Sequence, residues 1–307
     1  MIAVVGPTAA GKSELALRIA AEAGGEIVNA DSMQLYRGMD IGTAKLAPGQ
    51  RRGIPHHLLD IWDVRYPANV AEYQRLARAA VDDIRGRGKV AVLVGGSGLY
   101  LRGALDTLEF PGTDPAVRRR LERELADHGP APLYARLTAS DPAAAARILP
   151  SNGRRIVRAL EVIEVSGQPF TAALPQYESV YPVLWLGLAV GRPELDRRID
   201  ARTGQMFAGG LVAEVERLER AGLREGRTAS RALGYAQVLR ALAGEWTLER
   251  AQAETALATR RFARRQESWF RRDPRVRWLP AGAADAGTLA ERALAWCRDP
   301  APPLTHA

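Results

Sequence analysis

Short apolar runs alternate with amphipathic stretches through the first hundred residues of the chain. Three of these runs, Ile2–Val5, Glu26–Ala30 and Val90–Val94, have the length and composition of buried strands. Between them, apolar positions recur with helical spacing at Lys12–Glu22 and Asn69–Arg87. This β-α-β order predicts an α/β fold with a parallel sheet that carries helices on both faces.

Strand signals disappear between about residues 112 and 180. Asp114-Pro115 and Asp141-Pro142 each combine an N-cap residue with a proline at the first helical position. Asn152 is suited to cap a further helix that ends near Gly167. We therefore expect residues 112–180 to form an all-helical insertion domain within an α/β core made of residues 1–111 and 181–298.

The second half of the core returns to a mixed pattern. Val183–Val190 predicts another buried strand and Val276–Leu279 a short last one. Helical spacing marks four stretches: Pro193–Phe207, Leu211–Ala221, Ser230–Leu242 and Thr247–Arg272. The Ala- and Pro-rich tail at 299–307 is expected to be disordered.

Composition narrows the class of protein. The chain has 307 residues and is 47% hydrophobic, enough for a large core. No apolar run is long enough to span a bilayer, and the first strand begins at residue 2, so we expect a cytoplasmic protein without a signal peptide or membrane segment. Cys297 is the single cysteine, which excludes an intramolecular disulfide and a cysteine-based zinc site. Nothing in the sequence indicates an obligate dimer, and we expect a monomer.

The loop after the first strand matches the phosphate-binding pattern G-x-x-x-x-G-K-[ST]. It reads Gly6, Pro7, Thr8, Ala9, Ala10, Gly11, Lys12 and Ser13. In such a loop the backbone amides surround a di- or polyphosphate, the lysine adds positive charge, and the serine hydroxyl binds Mg²⁺. A helix that starts here points its positive end at the phosphates. The core is therefore predicted to be P-loop NTPase-like, with Mg²⁺ as the cofactor at Ser13.

Asp31 follows the second predicted strand directly. Open α/β sheets bind ligands at the carboxyl ends of their strands, so Asp31 is expected on the same edge as the phosphate loop. A carboxylate there can accept a proton from an attacking nucleophile. The alternative is a turn or helix-capping aspartate, and position alone does not decide between the two.

Three other loops carry weaker signals. The segment from Arg37 to Lys45 is punctuated by glycines and has charges of both signs. His56-His57 is expected to be a packed loop rather than a metal site, because adjacent side chains point in different directions. Gly95-Gly96-Ser97-Gly98 ends the third strand without the aspartate with which most phosphate-loop ATPases hold Mg²⁺. We interpret these glycines as room for a ligand to approach closely.

Positive charge is concentrated near the end of the core. The net charge is +8, and residues 260–277 contain eight arginines and two acidic residues. We expect Ala258, Phe262 and Trp269 to form the apolar stripe of this helix, with Arg260, Arg264 and Arg271 opposite. A second basic cluster contains Arg154, Arg155 and Arg158. Either these are solvated faces or they bind a long polyanion such as a nucleic acid, and the excess of arginine favours phosphate contacts.

Two other classes of function fit parts of this pattern. A small-molecule or nucleotide kinase also pairs a phosphate loop with an aspartate after the second strand, but it seldom carries so dense an arginine helix. A non-catalytic RNA-binding GTPase would need a motif such as Asn-Lys-x-Asp, which the chain lacks.

Several motifs, taken in order, resemble those of the bacterial tRNA dimethylallyltransferases over nearly the whole chain. They are Gly6-Pro7-Thr8, the segment from Asp31 to Lys45, Pro55-His56-His57-Leu58-Leu59-Asp60, Val94-Gly95-Gly96-Ser97-Gly98-Leu99-Tyr100, Arg158-Ala159-Leu160-Glu161-Val162, Leu233-Gly234-Tyr235, and Arg264-Arg265-Gln266 with Trp269. The resemblance implies an enzyme that transfers a dimethylallyl group from dimethylallyl diphosphate to N6 of adenosine 37, beside the anticodon of tRNA.

The resemblance also implies roles for individual residues. Lys12, Arg202 and the loop from Thr8 to Ser13 would bind the diphosphate, and Asp31 would act as the catalytic acid–base group at the adenine N6. The tRNA contacts implied are Asp31, Ser32, Met33, Gln34, Ser97, Arg118, Arg154, Arg155, Ile156, Val157, Arg158, Arg231, Ala232, Leu233, Gly234, Tyr235 and Ala236. The helical insertion would grip the anticodon arm. The chain departs from many relatives at Ser97, where they have threonine, and at Ala236, where they often have a longer polar residue.

Overall fold

The computed structural model describes residues 1–108, 110, 112–170, 177–282 and 286–298. The chain divides into two compact units. The core unit consists of Met1–Leu105 and the chain from Ser179 onward, and the helical unit consists of Asp106–Glu178. The expected tail at 299–307 lies outside the described residues.

A six-stranded parallel sheet organises the core unit. Its strands are β1 (Ile2–Val5), β2 (Gly25–Asn29), β3 (His56–His57), β4 (Val90–Val94), β5 (Leu184–Ala189) and β6 (Val276–Pro280). Their order across the sheet is β3-β2-β4-β1-β5-β6, and every pair is parallel. The predicted α/β class with a parallel sheet is confirmed.

The register of the central strands places three loops at one edge. Val94 of β4 is level with Val4 of β1 on one side and with Asn29 of β2 on the other. Two residues after this row, β1 leads to Gly6, β2 leads to Asp31 and β4 leads to Gly96. The phosphate loop, the acidic residue and the glycine loop therefore leave the sheet together, as its parallel direction requires.

Helices cover both faces of the sheet. The core-unit helices are α1 (Lys12–Glu22), α2 (Val70–Gly86), α3 (Gly98–Leu105), α8 (Arg192–Ala208), α9 (Leu211–Arg220), α10 (Tyr235–Leu242), α11 (Leu248–Arg271) and α12 (Ala286–Arg298). Alternation along β1 divides the core in two. Ile2 and Val4 pack in the cluster that includes α1, whereas Ala3 and Val5 pack in the cluster that includes α2.

The helical unit contains α4 (Pro115–His128), α5 (Pro130–Ser140), α6 (Pro142–Ala145) and α7 (Gly153–Ser166). The predicted caps are confirmed: Asp114, Asp141 and Asn152 each accept hydrogen bonds from backbone amides in the first turn of their helices. Gly167 ends α7 in a left-handed conformation. The unit has its own apolar core, built around Leu121 and related side chains.

Two predictions of local structure are wrong. His56-His57 is a short edge strand rather than a packed loop, because its backbone pairs with Ile27 and Val28 of β2. The helix predicted from Ser230 begins only at Tyr235. Gly234 precedes it at a φ of 87°, and the backbone of 229–231 forms a separate 3₁₀ turn.

A buried carboxylate ties the amino ends of the strands together, away from the loops described above. Glu26 is 2% exposed. It accepts hydrogen bonds from Arg87 Nη1 and Nη2 at 2.5 and 2.8 Å, from Lys89 Nζ at 2.7 Å and from His57 Nε2 at 2.7 Å. The hydrogen bonds from Arg87 are the main reason that the pKa of Glu26 lies far below its usual value.

This cluster predicts a pH-dependent contribution to stability. Glu26→Gln should lower the free energy of unfolding by about 1–2 kcal/mol at pH 7, a modest cost because the cations of Arg87 and Lys89 are partly solvated. The pKa of Glu26 is depressed in the folded state. Its contribution is therefore complete above the unfolded pKa of about 4.3 and is lost as the pH falls below it. Denaturant unfolding of both proteins between pH 7 and pH 3 should show the difference shrinking; a constant difference would contradict the assignment.

Candidate active site

The phosphate loop connects β1 to α1 as the sequence predicts. Three of its residues have positive φ: Gly6 at 135°, Ala9 at 62° and Gly11 at 98°. A Cβ on Gly6 would lie 3.2 Å from the backbone oxygen of Leu188 in β5, so this position needs glycine for both conformation and space. The turn leads into the amino terminus of α1, where free amides and the helix dipole favour an anion.

Lys12 lies in the first turn of α1 with its ammonium directed into the loop. Its Nζ donates a hydrogen bond to the Pro7 carbonyl oxygen at 2.7 Å. The pKa of Lys12 is lowered to about 8, mainly by burial; the Asp31 charge opposes this shift, and the nearby Arg202 adds to it. The loop therefore holds a desolvated cation whose proton a bound diphosphate would stabilise.

Asp31 sits in a tight turn directly after β2. Its Oδ1 accepts a hydrogen bond from the Met33 amide at 2.9 Å, and its own amide donates to Asn29 Oδ1 at 3.0 Å. Asn29 is 3% exposed and also donates to the carbonyl oxygens of Asp31 and Leu58, at 3.1 and 3.0 Å. Asp31 thus has the turn role considered from the sequence, and these bonds hold its carboxyl group at the surface of two cavities.

Two cavities meet at the loop edge of the core unit. The first, which we call the loop cavity, has a volume of about 660 Å³ and is lined by Gly11, Lys12 and Ser13. The second, the apolar cavity, has a volume of about 340 Å³. Its apolar walls come from Met33, Ile199, Met206, Leu233 and Phe262.

Five residues line both cavities: Thr8, Ala9, Asp31, Thr43 and Arg202. Arg202 projects from α8, and burial is the main reason that its pKa lies below the usual value for arginine, with Asp31 acting in the opposite direction. The predicted cation and the predicted acid therefore stand on the shared boundary. On one side of it lies a site for an anion, and on the other a site for an apolar or aromatic group.

A divalent cation fits this site only together with a phosphate ligand. Among the described residues there is no cluster of three His, Cys, Asp or Glu side chains that could hold a metal ion. Ser13 lines the loop cavity and, with Asn29, Gln34 and His56, a small void of about 20 Å³ beneath it. Mg²⁺ is commonly held by one or two protein oxygens, phosphate oxygens and water, which is the donor set that Ser13 and a diphosphate would provide.

The glycines after β4 make room for the protein itself. A Cβ on Gly95 would lie 2.3 Å from the Ala30 carbonyl oxygen, and one on Gly96 would lie 2.1 Å from Gln266 Nε2. On Gly98 it would meet the Trp269 ring at 2.2 Å. The absence of side chains at these glycines therefore serves packing within the core unit, while Gly95 lines the loop cavity and Ser97 the apolar cavity; close approach of a ligand to this loop stays a prediction.

The segment from Arg37 to Lys45 is anchored by a buried lysine. The Lys45 side chain is 3% exposed, and its Nζ donates to the Tyr36 carbonyl oxygen at 2.9 Å, Asp40 Oδ1 at 2.7 Å and Asp60 Oδ1 at 2.5 Å. All three of its donor positions are thereby used. Lys45 is therefore a structural cation that shapes one wall of the loop cavity.

Glu214 of α9 is a residue that the sequence interpretation missed. It is 2% exposed and accepts hydrogen bonds from the amides of Asp40, Ile41 and Gly42 at 3.2, 2.9 and 3.3 Å. It also accepts a hydrogen bond from the Tyr235 hydroxyl at 2.5 Å. Burial, with the Glu214 charge, raises the pKa of Tyr235 so that the phenol remains a donor. Glu214 lies on the apolar face of α9 with Leu211, Val215 and Leu218. A glutamate at one of the apolar positions of an amphipathic helix was the signal in the sequence that could have indicated a buried, hydrogen-bonded carboxylate.

The residues assigned to tRNA in the core unit divide into those that line one of the two cavities and those that do not. Ser32, Met33, Ser97 and Arg231 line the apolar cavity, and Gln34 lines the loop cavity. Ser97 Oγ lies 3.2 Å from both the amide and the hydroxyl of Ser32. Ala232 is buried but also lines the apolar cavity, whereas Gly234 and Tyr235 are buried and line neither cavity, and Ala236 is partly buried. The Tyr235 side chain serves the Glu214 network, so side-chain contact with RNA is excluded for Tyr235 in this conformation.

The residues assigned to tRNA in the helical unit differ in their exposure. Ile156 and Val157 are 0% and 2% exposed and pack in its apolar core, so their side chains do not reach a ligand. Arg118 and Arg158 both bind the buried Glu161 carboxylate, with Arg118 Nε at 2.9 Å and Arg158 Nη1 at 2.8 Å. Arg154 and Arg155 are exposed. Of the α7 arginines assigned to tRNA, Arg154 and Arg155 are therefore the exposed ones, while Arg158 is partly exposed and ion-paired.

The predicted apolar stripe of α11 is wrong. The buried face carries Ala251, Thr255, Ala263, Gln266 and Phe270, whereas Trp269 is 44% exposed. The polar residues Thr255 and Gln266 are buried because their side chains find partners inside the core unit: Thr255 Oγ1 donates to the Ala251 carbonyl oxygen at 2.7 Å, and Gln266 bonds to the phosphate loop. Phe262 lies between the two faces, in the wall of the apolar cavity.

Several arginines of α11 form ion pairs within the core unit. Arg260 pairs with Asp200, Arg264 with Asp196 at 3.8 Å, and Arg271 with Glu267 at 2.9 Å. Arg265 lines the apolar cavity, with its guanidinium 5.7 Å from the centre of the Phe262 ring. The arginine helix is thus partly a solvated, ion-paired face and partly a wall of the site.

Comparison with known proteins identifies a family. The family model described as IPP transferase matches residues 34–273. The tRNA dimethylallyltransferase of Streptomyces coelicolor is 65% identical over 98% of this chain and 96% of its own, and that of Thermobifida fusca is 65% identical over 96% and 93%. No helix among the described residues is long and apolar enough to cross a membrane.

Solved structures with similar folds carry names of the same family. The tRNA isopentenylpyrophosphate transferase of Bacillus halodurans superposes with a TM-score of 0.73 at 36% identity, covering 97% of this chain and 95% of its own. A eukaryotic dimethylallyltransferase, solved in the course of acting on tRNA, gives a TM-score of 0.86 at 25% identity over 100% and 81% of the two chains. The chain belongs to the IPP transferase family.

Proposed function

We propose that this protein transfers a dimethylallyl group from dimethylallyl diphosphate to N6 of adenosine 37 in tRNA, with release of pyrophosphate. The observation that carries the proposal is the shared boundary of the two cavities. Asp31 and Arg202 face both an anion-binding loop and an apolar cavity, which is the arrangement that a displacement between a diphosphate and a base requires. The relatives' names support the choice of tRNA as the acceptor and of a five-carbon prenyl group as the group transferred.

In the proposed reaction, the adenine N6 attacks C1 of the dimethylallyl group. The bond between N6 and C1 forms as the bond between C1 and the bridging oxygen breaks, and the electron pair leaves with pyrophosphate. The exocyclic amine is a weak nucleophile because its lone pair is delocalised into the ring. Asp31 accepts the proton that N6 loses, which keeps positive charge from building up on the base.

The leaving group gathers negative charge inside the loop cavity. Loop amides, Lys12 and Arg202 are fixed there before the reaction and stabilise that charge without reorganising. Mg²⁺, held by Ser13 and the diphosphate oxygens, would supply further positive charge to the leaving group. Desolvation of Lys12 and Arg202 strengthens their interaction with the diphosphate.

A kinase is disfavoured by two observations. The loop after β4 offers no carboxylate for Mg²⁺, and Ala30 and Gln266 fill the space next to it. The cavity beside Asp31 is lined by Met33, Leu233 and Phe262, an environment for a prenyl chain or a base rather than a polar metabolite.

To reach Asp31, the target adenine must leave its stack in the tRNA. Extruding a base from a loop costs less free energy than extruding one from a base pair, which favours an adenosine in the anticodon loop. We further propose that the protein acts in the cytoplasm as a monomer.

Dimethylallyl transfer can be tested directly. Incubation with dimethylallyl diphosphate, Mg²⁺ and unmodified tRNA should yield N6-dimethylallyladenosine in digested nucleosides by mass spectrometry. Asp31→Ala should lower kcat by about 10²–10⁴, the usual range for a lost general base. Asp63→Asn is the matched control, since Asp63 is an exposed turn carboxylate bonded to Arg65. Near-wild-type turnover by Asp31→Ala would overturn its role, and formation of a phosphorylated metabolite from ATP instead would overturn the function.

The lowered pKa of Lys12 predicts how pyrophosphate binding depends on pH. Pyrophosphate binds the protonated ammonium, and free Lys12 loses its proton above a pKa of about 8. Affinity for pyrophosphate with Mg²⁺ should therefore hold up to about pH 8 and then fall by about tenfold per pH unit, relative to Lys12→Met, which controls for titration of the ligand. Calorimetry from pH 7 to pH 9.5 measures the affinity of the wild type and of Lys12→Met for pyrophosphate. Parallel pH profiles for the two proteins would contradict the role of Lys12.

The exposed arginines of α7 predict a local effect on RNA binding. Arg154→Glu with Arg155→Glu should weaken tRNA binding by about tenfold or more and reduce the slope of log K against log salt by about 1.4–1.8, since each phosphate contact contributes about 0.7–0.9 to that slope. Pyrophosphate affinity should not change. Arg123→Glu with Arg147→Glu alters the net charge equally at other exposed positions of the same unit. Equal losses of tRNA binding in both double variants would indicate a nonspecific charge effect and contradict the assignment.

A further inference from the structure

Gln266 is a buried polar side chain of α11 whose two ends bond to two different loops of the site. It is 6% exposed. Its Oε1 accepts a hydrogen bond from the Thr8 amide at 2.8 Å, and its Nε2 donates to the Gly96 carbonyl oxygen at 2.9 Å. One side chain therefore joins the phosphate loop, the loop after β4 and the helix that carries the arginines.

The bond to Thr8 fixes the orientation of the phosphate loop. Thr8 lines both cavities, and Ala9 beside it is held at a φ of 62°, a conformation that costs free energy for a residue with a Cβ. An amide in a phosphate loop can point at the ligand or away from it. Because Thr8 donates to Gln266, its N–H is committed away from the cavities and the following amides are left to face the anion.

The bond to Gly96 extends the same restraint toward Asp31. The next residue, Ser97, places its Oγ 3.2 Å from the Ser32 amide. Ser32 follows Asp31 in the turn that holds the candidate acid. A continuous series of bonds thus runs from Thr8 through Gln266 and Gly96 to the turn at Asp31, with its centre at a buried amide whose donor and acceptor are both used.

Space at Gly96 is matched to this amide. A Cβ there would lie 2.1 Å from Gln266 Nε2, so any larger residue would displace the amide group. Gly96 and Gln266, which are 170 residues apart in sequence, therefore depend on each other: the glycine leaves the space that the amide group occupies. Gly96 and Gln266 lie in separate sequence motifs, and neither motif by itself indicates that the two residues are partners.

We infer that Gln266 is a positioning residue that orients the phosphate loop for the diphosphate through the Thr8 amide, with Gly96 as its required partner. This inference rests on the proposed function of the loop. Gln266 acts through Thr8 and Gly96 and is assigned no contact with the reacting atoms. Its loss should therefore weaken diphosphate binding more than it slows the chemical step or weakens tRNA binding.

Variants of Gln266 test this inference. Gln266→Ala should raise the KM for dimethylallyl diphosphate and the Kd for pyrophosphate with Mg²⁺ by about tenfold, with a smaller fall in kcat and an unchanged Kd for tRNA. Gln266→Glu keeps the acceptor for Thr8 but sets a carboxylate oxygen against the Gly96 carbonyl oxygen, so diphosphate affinity should fall at least as far as in Gln266→Ala. Gln252→Ala, at an exposed glutamine of the same helix, is the control and should match the wild type.

Gly96→Ala perturbs the same contact between Gly96 and Gln266, from the side of the glycine. Alone it should weaken pyrophosphate binding as Gln266→Ala does, and the two changes together should cost no more than Gln266→Ala alone, because the added methyl group then enters the vacated space. Additive losses would overturn the link between the two residues. Thermal unfolding of each variant shows whether it is folded.

The outcomes separate this inference from the proposed function. If the wild-type protein fails to bind pyrophosphate or dimethylallyl diphosphate, the proposed function is wrong. If the wild type binds them and the folded Gln266 variants bind them equally well, with only a lower melting temperature, Gln266 is merely structural and the inference is overturned. A selective loss of diphosphate affinity supports it.

Discussion

The register between β1, β4 and β2 is the constraint on which the site depends. Val4, Val94 and Asn29 lie in one row across the parallel sheet, so the chain reaches Gly6, Gly96 and Asp31 at the same edge two residues later. A slip of one residue in either pairing would turn the apolar side chains of a central strand to the opposite face. Since the two faces pack against different helices, the apolar core fixes the geometry of the loops.

Backbone groups at that edge are then fixed by a few buried polar side chains from distant parts of the chain. Asn29 holds the turn at Asp31, Gln266 holds Thr8 and Gly96, and Glu214 holds the segment at Asp40–Gly42. Each has the hydrogen bonds that its burial demands, so the loops are ordered before a ligand arrives. Such order is what electrostatic stabilisation of a leaving group requires.

Local chemistry made part of this structure predictable from the sequence. The phosphate loop depends on glycines and a lysine that are adjacent in the chain, and Asp31 follows from its place at the end of a strand. The helix caps at Asp114, Asp141 and Asn152 depend on neighbouring residues in the same way. The family resemblance supplied Arg202, which nothing in its local sequence singles out.

Long-range partners account for what the sequence did not reveal. The buried face of α11 was misassigned because Gln266 looks like a surface residue until Thr8 and Gly96, far away in sequence, are placed beside it. The glycines after β4 leave space for Ala30, Gln266 and Trp269. These contacts cannot be predicted from hydrophobic periodicity. Ile156 and Val157 lie within a basic motif, yet the core of the helical unit takes their side chains.

The central claim is that a diphosphate in the phosphate loop is expelled as a whole when carbon, not phosphorus, is attacked. Dimethylallyl diphosphate labelled with ¹⁸O at the oxygen that bridges C1 and the diphosphate tests it in a single turnover with tRNA. The account predicts that the label leaves in pyrophosphate and that the modified adenosine carries none. Label retained on the prenyl carbon, or a phosphorylated acceptor, would show attack at phosphorus and contradict it.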